Sequence, residues 1–349
     1  MRRRQSVKVV FLTRYDRSRA SSRVRVYDYL PHLQRMGFQC QVLPFPPKLT
    51  SVTKMRYLFQ ALWFAGWADV VVFQKLVIRK VFVDLLRRVN PRIVFDFDDA
   101  LWTPPDAFSH DPQVRALYQV QVRYLHHILT QARCVIAGNY YLARYAMQFA
   151  SSVHVIPSSV DLERYPLKVT WSDEEKVVFG WIGSPENLVD FKSAQEGLRR
   201  FFLQFGAKAM LKIVSTSPLS LDGVPVQFER WELDRDVDFL HSFDVGLMPL
   251  NDTERSRGRC GFKAIQYMAV GLPVIASPIG AATEIVEHER TGFLASTAEE
   301  WEEALMRLAS DKDLRMRLGR AGREKVERLF SIQGNAPKLA TILREVASS

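Results

Sequence analysis

The stretch from Arg257 to Gly280 reads RGRCGFKAIQYMAVGLPVIASPIG and combines a small basic loop, a helix, a turn and a strand. The spacing of its apolar residues predicts a helix over Phe262 to Val270, and Gly271 followed by Pro273 ends that helix. Val274 to Ala276 then has the pattern of a short buried strand. A helix followed closely by a buried strand is typical of α/β proteins with a parallel sheet.

The loop at the start of this stretch has the features of an anion site. A glycine-rich loop that leads into a helix presents free backbone N–H groups and the positive end of the helix dipole. Arg259 and Lys263 are four residues apart, so the pattern places both on one side of the first turn, next to Gly261. We therefore expect this loop to bind a diphosphate. The alternative is that Arg259 is a solvated loop residue and that Lys263 covers a surface.

Length and composition indicate an ordinary globular protein with more than one domain. The chain has 349 residues, which suits two domains of roughly 150–200 residues each. Hydrophobic residues make up 47% and charged residues 25%, values that are typical of such proteins. Three scattered cysteines without metal spacing indicate a reducing compartment, and no run reaches the roughly 18 apolar residues of a membrane span. We expect a cytoplasmic protein, peripheral at the inner membrane face.

The net charge of +10 is concentrated near the N-terminus. Between Met1 and Arg25 there are nine basic residues and one acid, Asp16. This excess suggests an anionic partner on that side of the protein, such as phosphates, anionic lipid or nucleic acid. For Arg2 to Arg4 the alternative is a solvated basic terminus.

Val7 to Thr13 is a nearly continuous apolar run, which predicts a parallel strand that is buried on both faces. A polar loop, a helix closed by Gly37 and a strand at Cys40 to Leu43 complete a βαβ unit. The first loop of such a unit is where ligands bind. Its side chains there are Ser21, Ser22, Arg23 and Arg25, with a serine expected as the helix N-cap. We expect Arg23 to face a leaving phosphate and Arg25 to lie on the acceptor side.

Acidic residues follow a later predicted strand, Arg92 to Phe97. Asp96, Asp98 and Asp99 lie at or just beyond its carboxyl end, the functional edge of an α/β sheet. Three acids could bind a metal, but no fourth ligand is near in the sequence, so we expect one of the acids to orient a basic loop. Asp99 is the candidate catalytic residue of this group. His110, in the loop that follows, is a candidate for contact with an acceptor.

A second series of alternating predicted strands and helices follows a polar linker at residues 167–176. Val177 to Ile182 predicts a strand, and the small-residue loop Gly183, Ser184, Pro185 leads into a helix. Further strands are predicted at Ala209 to Val214, Val226 to Phe228, Val245 to Pro249, and Phe293 to Leu294, with helices between them and an amphipathic helix at Pro337 to Val346. The second half therefore repeats the architecture of the first.

Several stretches resemble one enzyme family. The run from Lys263 to Ala295, KAIQYMAVGLPVIASPIGAATEIVEHERTGFLA, resembles the C-terminal signature of family-4 glycosyltransferases of the GT-B fold. The supporting stretches are VIPSSVD, FGWIGSPENL and FDVGLMPLNDTE. SSRVRVYDYLPHLQRMGF and VFDFDDALW resemble one bacterial branch of these enzymes.

This resemblance implies an α/β GT-B fold in which two Rossmann-like domains face each other across a cleft. The domains expected are residues 1–166 on the acceptor side, 167–331 for the donor, and 332–349 as a C-terminal helix that crosses back to the first. The implied reaction moves a sugar from a nucleotide-sugar donor to a glycan or lipid-linked acceptor, with retention and with no metal or other cofactor. The expected setting is surface polysaccharide or glycolipid assembly, with an anionic membrane surface as a possible partner and no nucleic acid.

The sequence departs from the family pattern at two places. The family carries two glutamates eight positions apart, whereas here the positions hold Gly258 and Gln266. An amide at Gln266 can still hydrogen-bond a ribose, although it lacks the charge of a carboxylate. The family's basic pair often lies in the loop that here begins Gly183-Ser184 and contains no base, so Arg259 and Lys263 are the natural substitutes. The resemblance and the pattern together assign the donor to Gly183, Ser184, Gly261, Gln266, Tyr267, Gly280 and Glu284.

Three alternatives remain at this point. The first is a nucleotide-sugar epimerase of the same fold, which would release a free epimer without an acceptor. The second is a catalytically silent sugar-nucleotide binder, which the missing glutamates favour and which would show binding without turnover. The third is a nucleic-acid binder, which rests on the basic N-terminus alone, because interleaved aromatic residues and a known module are lacking.

Overall fold

The computed structural model describes residues 6–48, 50–169 and 176–349, and its contacts divide the chain into two compact units. Each unit is built on one six-stranded, fully parallel sheet with helices, so the predicted α/β class is confirmed. The basic residues Arg2 to Arg4 lie outside the described residues, as do residues 170–175 of the predicted linker.

The first unit contains a parallel sheet with the spatial order β2-β1-β3-β4-β5-β6. Its strands are β1 (Val7–Thr13), β2 (Phe38–Pro44), β3 (Val70–Gln74), β4 (Ile93–Phe97), β5 (Cys134–Ala137) and β6 (Val153–Val155). Its helices are α1 (Ala20–Arg25), α2 (Leu30–Arg35), α3 (Ser51–Trp67), α4 (Lys80–Val89), α5 (Pro112–Gln131) and α6 (Tyr140–Ala146). The central strands are apolar at almost every position because both faces of the sheet are covered. The strand order reverses between β1 and β3, and ligands bind at such points in open α/β sheets.

The helix predicted after the first strand is divided into two. Val26 leaves the helical conformation, with φ −128° and ψ −64°, and Pro31, which has no N–H, opens the second piece, α2. The expected serine N-cap is also wrong. The residue before α1 is Arg19, and Ser22 lies inside the helix, where its Oγ accepts from the backbone N–H of Tyr15 at 3.2 Å.

The second unit has the spatial order β12-β11-β10-β7-β8-β9. Its strands are β7 (Val177–Ile182), β8 (Ala209–Ser215), β9 (Val226–Arg230), β10 (Val245–Met248), β11 (Val274–Ala276) and β12 (Gly292–Leu294). Its helices are α7 (Gln195–Phe205), α8 (Asp236–His241), α9 (Glu254–Arg257), α10 (Phe262–Ala269), α11 (Ala282–Ile285), α12 (Ala298–Ser310) and α13 (Lys312–Leu329). A 3₁₀ run at Pro185–Ser193 precedes α7, where the sequence predicted a regular helix. Here the order reverses between β7 and β10.

Three segments belong to a compact unit that their local sequence does not predict. Residues 160–166 group with the second unit, because Val160 forms a β-bridge with Ser331. Residues Gly258–Cys260 group with the first unit, although the chain on both sides belongs to the second. The last helix, α14 (Ile332–Ser348), also belongs to the first unit and packs its apolar face into that core beside Tyr29 and Leu33. Among the described residues, no helix is long and apolar enough to cross a membrane.

Candidate functional site

In the second unit, Lys263 lies at the carboxyl edge of the central strand. It is the second residue of α10, and its Nζ lies 5.0 Å from the centroid of the Trp181 ring on β7. A Cβ atom on Gly183 would come within 2.5 Å of the Cε of Lys263, so the lysine stem occupies the space that a larger residue would need. Because Gly183 directly follows β7, the cation is held where the strand order reverses.

The helix that carries Lys263 begins at a residue that cannot cap it. Gly261 precedes α10 with a left-handed φ of 61° and has no side chain that could accept from the first N–H groups. Gly280 lies in the loop after β11, and a Cβ there would come within 2.4 Å of the carbonyl oxygen of Arg257. Gly261 therefore leaves the start of α10 without a side-chain cap, the arrangement expected for an anion site, and Gly280 lets the loop after β11 approach the end of α9. Ser184 opens the 3₁₀ run that follows Gly183.

Two residues assigned to the donor are buried in the core of the second unit. Tyr267 is fully buried, its hydroxyl donates to the carbonyl oxygen of Leu247 at 3.3 Å, and burial raises its pKa. Gln266 is 6% exposed, and its Nε2 donates to the hydroxyl of Tyr165 at 3.0 Å. Both side chains thus lie in the core of the second unit, and their assignment to the donor stays a prediction. Glu284 is exposed in the first turn of α11, and its carbonyl oxygen accepts from Lys325 at 2.7 Å.

In the first unit, a polar network joins the short helix α1 to the ends of two strands, β3 and β4. Ser22 Oγ donates to Gln74 Oε1 at 2.6 Å, and Gln74 Nε2 donates to Ser21 Oγ at 3.3 Å. Ser21 Oγ in turn donates to Asp98 at 2.8 Å. These contacts connect helix α1 with the carboxyl ends of β3 and β4, at the edge where the sequence predicted ligand binding.

Lys75 is a residue of this edge that the sequence reasoning missed. It directly follows β3 and has a positive φ of 54°, which is uncommon for a side chain of this size. Its Nζ lies 2.5 Å from Asp99 and 3.2 Å from Asp98. The signal that could have found it is a lysine immediately after the apolar run VVVFQ. The orienting role expected for one acid of this cluster stays a prediction, and the structure shows that Asp99 contacts this lysine. Among the described residues, no group of three metal-binding side chains occurs.

Arg25 is occupied within the core of the first unit. It is 4% exposed, and its guanidinium donates to both oxygens of Asp96, at 3.0 and 2.5 Å, and to the carbonyl oxygen of Ile156 at 2.6 Å. Burial opposes its charge, but the Asp96 carboxylate outweighs that effect and the pKa of Arg25 is raised. Arg23, on the same short helix, is 5% exposed. Both side chains are therefore buried in the first unit, and their expected contacts with a phosphate and an acceptor stay predictions.

The loop Gly258–Cys260 is anchored to the first unit by Asn139. The side-chain Nδ2 of Asn139 donates to the carbonyl oxygens of Gly258 and Arg259, at 3.2 Å each. The guanidinium of Arg259 lies 3.6 Å from Asp106. Because α10 begins only at Phe262, the prediction that Arg259 and Lys263 share one helical turn was wrong.

His110, the residue expected to contact an acceptor, is exposed in the loop that precedes α5.

The position of the first missing glutamate has no room for a side chain. A Cβ on Gly258 would lie 2.6 Å from the Cβ and 2.8 Å from the backbone nitrogen of Ala100. We expect Gly258→Ala to lower the free energy of unfolding by about 1–3 kcal/mol through overpacking, measured by urea denaturation. The control is Gly66→Ala, whose Cβ would lie at an ordinary 3.7 Å from Val89 and which should be neutral or slightly stabilising. Equal stability of the two variants would contradict this packing argument.

Sequence comparisons match parts of the chain to known proteins. Residues 207–311 match the family model described as glycosyl transferases group 1. The chain is 34% identical over 91 residues to D-inositol 3-phosphate glycosyltransferase of Saccharomonospora viridis, covering 26% of this chain and 21% of that protein. It is 35% identical over 109 residues to the GDP-mannose-dependent alpha-(1-6)-phosphatidylinositol monomannoside mannosyltransferase of Mycobacterium tuberculosis, covering 29% and 27%. The matches thus span about a quarter of the length of these curated relatives.

The fold is shared over nearly the whole chain with solved structures. Anabaena Alr3699/HepE, crystallised in complex with UDP and glucose, superimposes with a TM-score of 0.72 at 16% identity. The superposition covers 97% of this chain and 100% of the HepE chain. Together with the two six-stranded parallel sheets, this likeness shows that the chain has the GT-B fold.

Proposed function

We propose that this protein is a glycosyltransferase that moves a sugar from a nucleotide-sugar donor to an acceptor. The observation that carries the proposal is Lys263, held over Trp181 and Gly183 at the point where the strand order of the second unit reverses. The match of residues 207–311 to group 1 glycosyl transferases includes this lysine and supports the reading.

The chemistry follows from the charge that develops when a nucleoside diphosphate leaves. A preorganised ammonium group and backbone N–H groups at a helix start stabilise that charge in the transition state. Lys263 and the uncapped start of α10 supply these two elements from one short segment. The proposal gives the diphosphate to Lys263 alone, because Arg259 is not on the helix. We further propose that the transfer retains the anomeric configuration of the sugar and needs no metal ion.

For the donor and acceptor we propose candidates from the similar proteins. HepE was crystallised with UDP and glucose, and the mycobacterial relative is named for GDP-mannose and a phosphatidylinositol monomannoside. A third relative is named for D-inositol 3-phosphate. We propose a UDP- or GDP-hexose donor and an acceptor that is a glycan or a lipid-linked glycan, used in surface polysaccharide or glycolipid assembly. On the first unit, Lys75 and the acids beside it are the groups proposed to contact the acceptor.

The donor proposal is tested by thermal unfolding in the presence of UDP-, GDP- and ADP-sugars. A ligand present at about 100 times its Kd stabilises the folded protein by about 2.7 kcal/mol. For a domain of roughly 150–250 residues, this stabilisation corresponds to a rise in Tm of roughly 5–10 °C. We expect one nucleotide class to give this shift, and a smaller shift in Lys263→Glu. An unchanged Tm with every nucleotide sugar would overturn the donor proposal.

A further inference from the structure

Helix α3 has two apolar faces, only one of which is covered. Tyr57, Ala61 and Ala65 are buried against the first core. The opposite face carries four large apolar side chains that are mostly exposed: Val52 (76%), Met55 (55%), Phe59 (67%) and Trp63 (75%). At about 100° per residue, these four lie within a sector of roughly 80°, opposite the buried residues. We call them the α3 stripe.

An exposed stripe of this kind indicates a binding surface. A helix on the surface of a globular protein normally pairs one apolar face with one polar face, and a helix that is apolar all round is normally buried. The stripe runs over three turns, roughly 16 Å along the helix axis, and includes a phenylalanine and a tryptophan. Contiguous exposed apolar surface of this size marks sites that contact a partner or a membrane.

The charges around the stripe distinguish between those two kinds of partner. Helix α3 contains no Asp or Glu, and its two charged residues, Lys54 and Arg56, are exposed. Helix α4 packs beside it, since Gly66 lies close to Val89, and it exposes Arg87 and Arg88. The one acid of α4, Asp84, contacts His127 at 2.7 Å. The surface is therefore apolar and cationic, which complements an anionic lipid surface.

We propose that the α3 stripe docks this protein on the surface of an anionic lipid bilayer. The helix would lie in the plane of the interface with its stripe about 5–10 Å into the boundary between headgroups and acyl chains. Trp63 and Phe59 anchor it there, because amphipathic aromatic rings favour that depth. Arg56, which lies about 60° around the helix from the centre of the stripe, and the arginines of α4 contact lipid phosphates. This surface lies outside the residues assigned to donor and acceptor, so the inference does not depend on the proposed function.

The test is co-sedimentation of the full chain with vesicles of phosphatidylcholine, with and without anionic phosphatidylglycerol. We expect binding to the anionic vesicles and a fall of at least about tenfold in the partition coefficient for Phe59→Ser/Trp63→Ser. Arg56→Gln should bind about fivefold more weakly to anionic vesicles and be little changed on neutral ones. Lys54→Gln, on the side of the helix away from the stripe, should change vesicle binding less. Thermal unfolding shows whether each variant is folded.

The matched control is Leu117→Ser/Leu203→Ser, which removes two apolar side chains that are each 69% exposed but lie on α5 and α7. This control should bind vesicles as the wild type does. Equal binding by the wild type and the stripe variant would overturn the proposal. A second result would also overturn the proposal: the wild type does not bind vesicles and forms a dimer in sedimentation velocity, and the stripe variant is a monomer. In that case a second copy of the protein would cover the stripe.

Discussion

Replacing Lys263 with glutamate is expected to lower kcat/KM for the nucleotide sugar by about 100-fold or more. The substitution removes the cation at the carboxyl edge of β7 and puts a carboxylate where the diphosphate would develop negative charge. Because Lys263 is partly exposed, the fold should be retained, and a far-UV circular dichroism spectrum checks this. Turnover is measured as release of nucleoside diphosphate.

The control for this charge reversal is Lys208→Glu, at an exposed position in the short 3₁₀ turn Gly206–Lys208 before β8. It changes the net charge by the same amount and should leave kcat/KM within about twofold, because screening weakens charges far from the reacting atoms. If Lys263→Glu retained full affinity and turnover, Lys263 would not be the diphosphate ligand.

Replacing Arg25 with methionine is expected to destabilise the protein by about 3–5 kcal/mol, because it leaves the Asp96 carboxylate buried without its partner. The side chains of this pair are only 2% and 9% exposed. Urea denaturation followed by tryptophan fluorescence measures the free energy of unfolding. The double variant Arg25→Met/Asp96→Leu should recover much of the loss, since two apolar groups replace two buried charges.

The matched control is Arg257→Met, which breaks an ion pair with Asp252 whose side chains are 51% and 58% exposed. An exposed pair of this kind contributes no more than about 1 kcal/mol. A loss for Arg25→Met as small as that of the control would show that Arg25 does not stabilise the core, and would favour its predicted contact with an acceptor.

The sheets could be predicted from sequence because parallel strands that are covered on both faces are continuous apolar runs. β1, β7 and β11 occur where the runs VKVVFLT, VVFGWI and VIA predict them. Short helices were harder: α6 was not predicted, although Asn139 caps it by accepting from Leu142 N–H at 2.8 Å. A helix of seven residues with a single cap residue is too short for its periodicity to be distinguished from that of a loop.

The candidate site was predictable only where local pattern places a residue. Gly183 and Lys263 follow from the loop after a strand and the first turn of a helix, and the structure brings these two together. The burial of Arg25 depends on Asp96, which is 71 positions away along the chain. The placement of Gly258–Cys260 depends on Asn139 and Ala100, and no periodicity in the sequence connects these segments.

Sugar transfer itself is measured by ³¹P NMR of the nucleotide sugar that stabilises the protein, incubated with the protein and a candidate acceptor such as a phosphatidylinositol mannoside. Transfer converts the sugar diphosphate ester into free nucleoside diphosphate, at a rate that rises with acceptor and is lost in Lys263→Glu. We expect this conversion for a glycosyltransferase. A sugar diphosphate ester that stays intact with every acceptor, whether unchanged or epimerised, would contradict it.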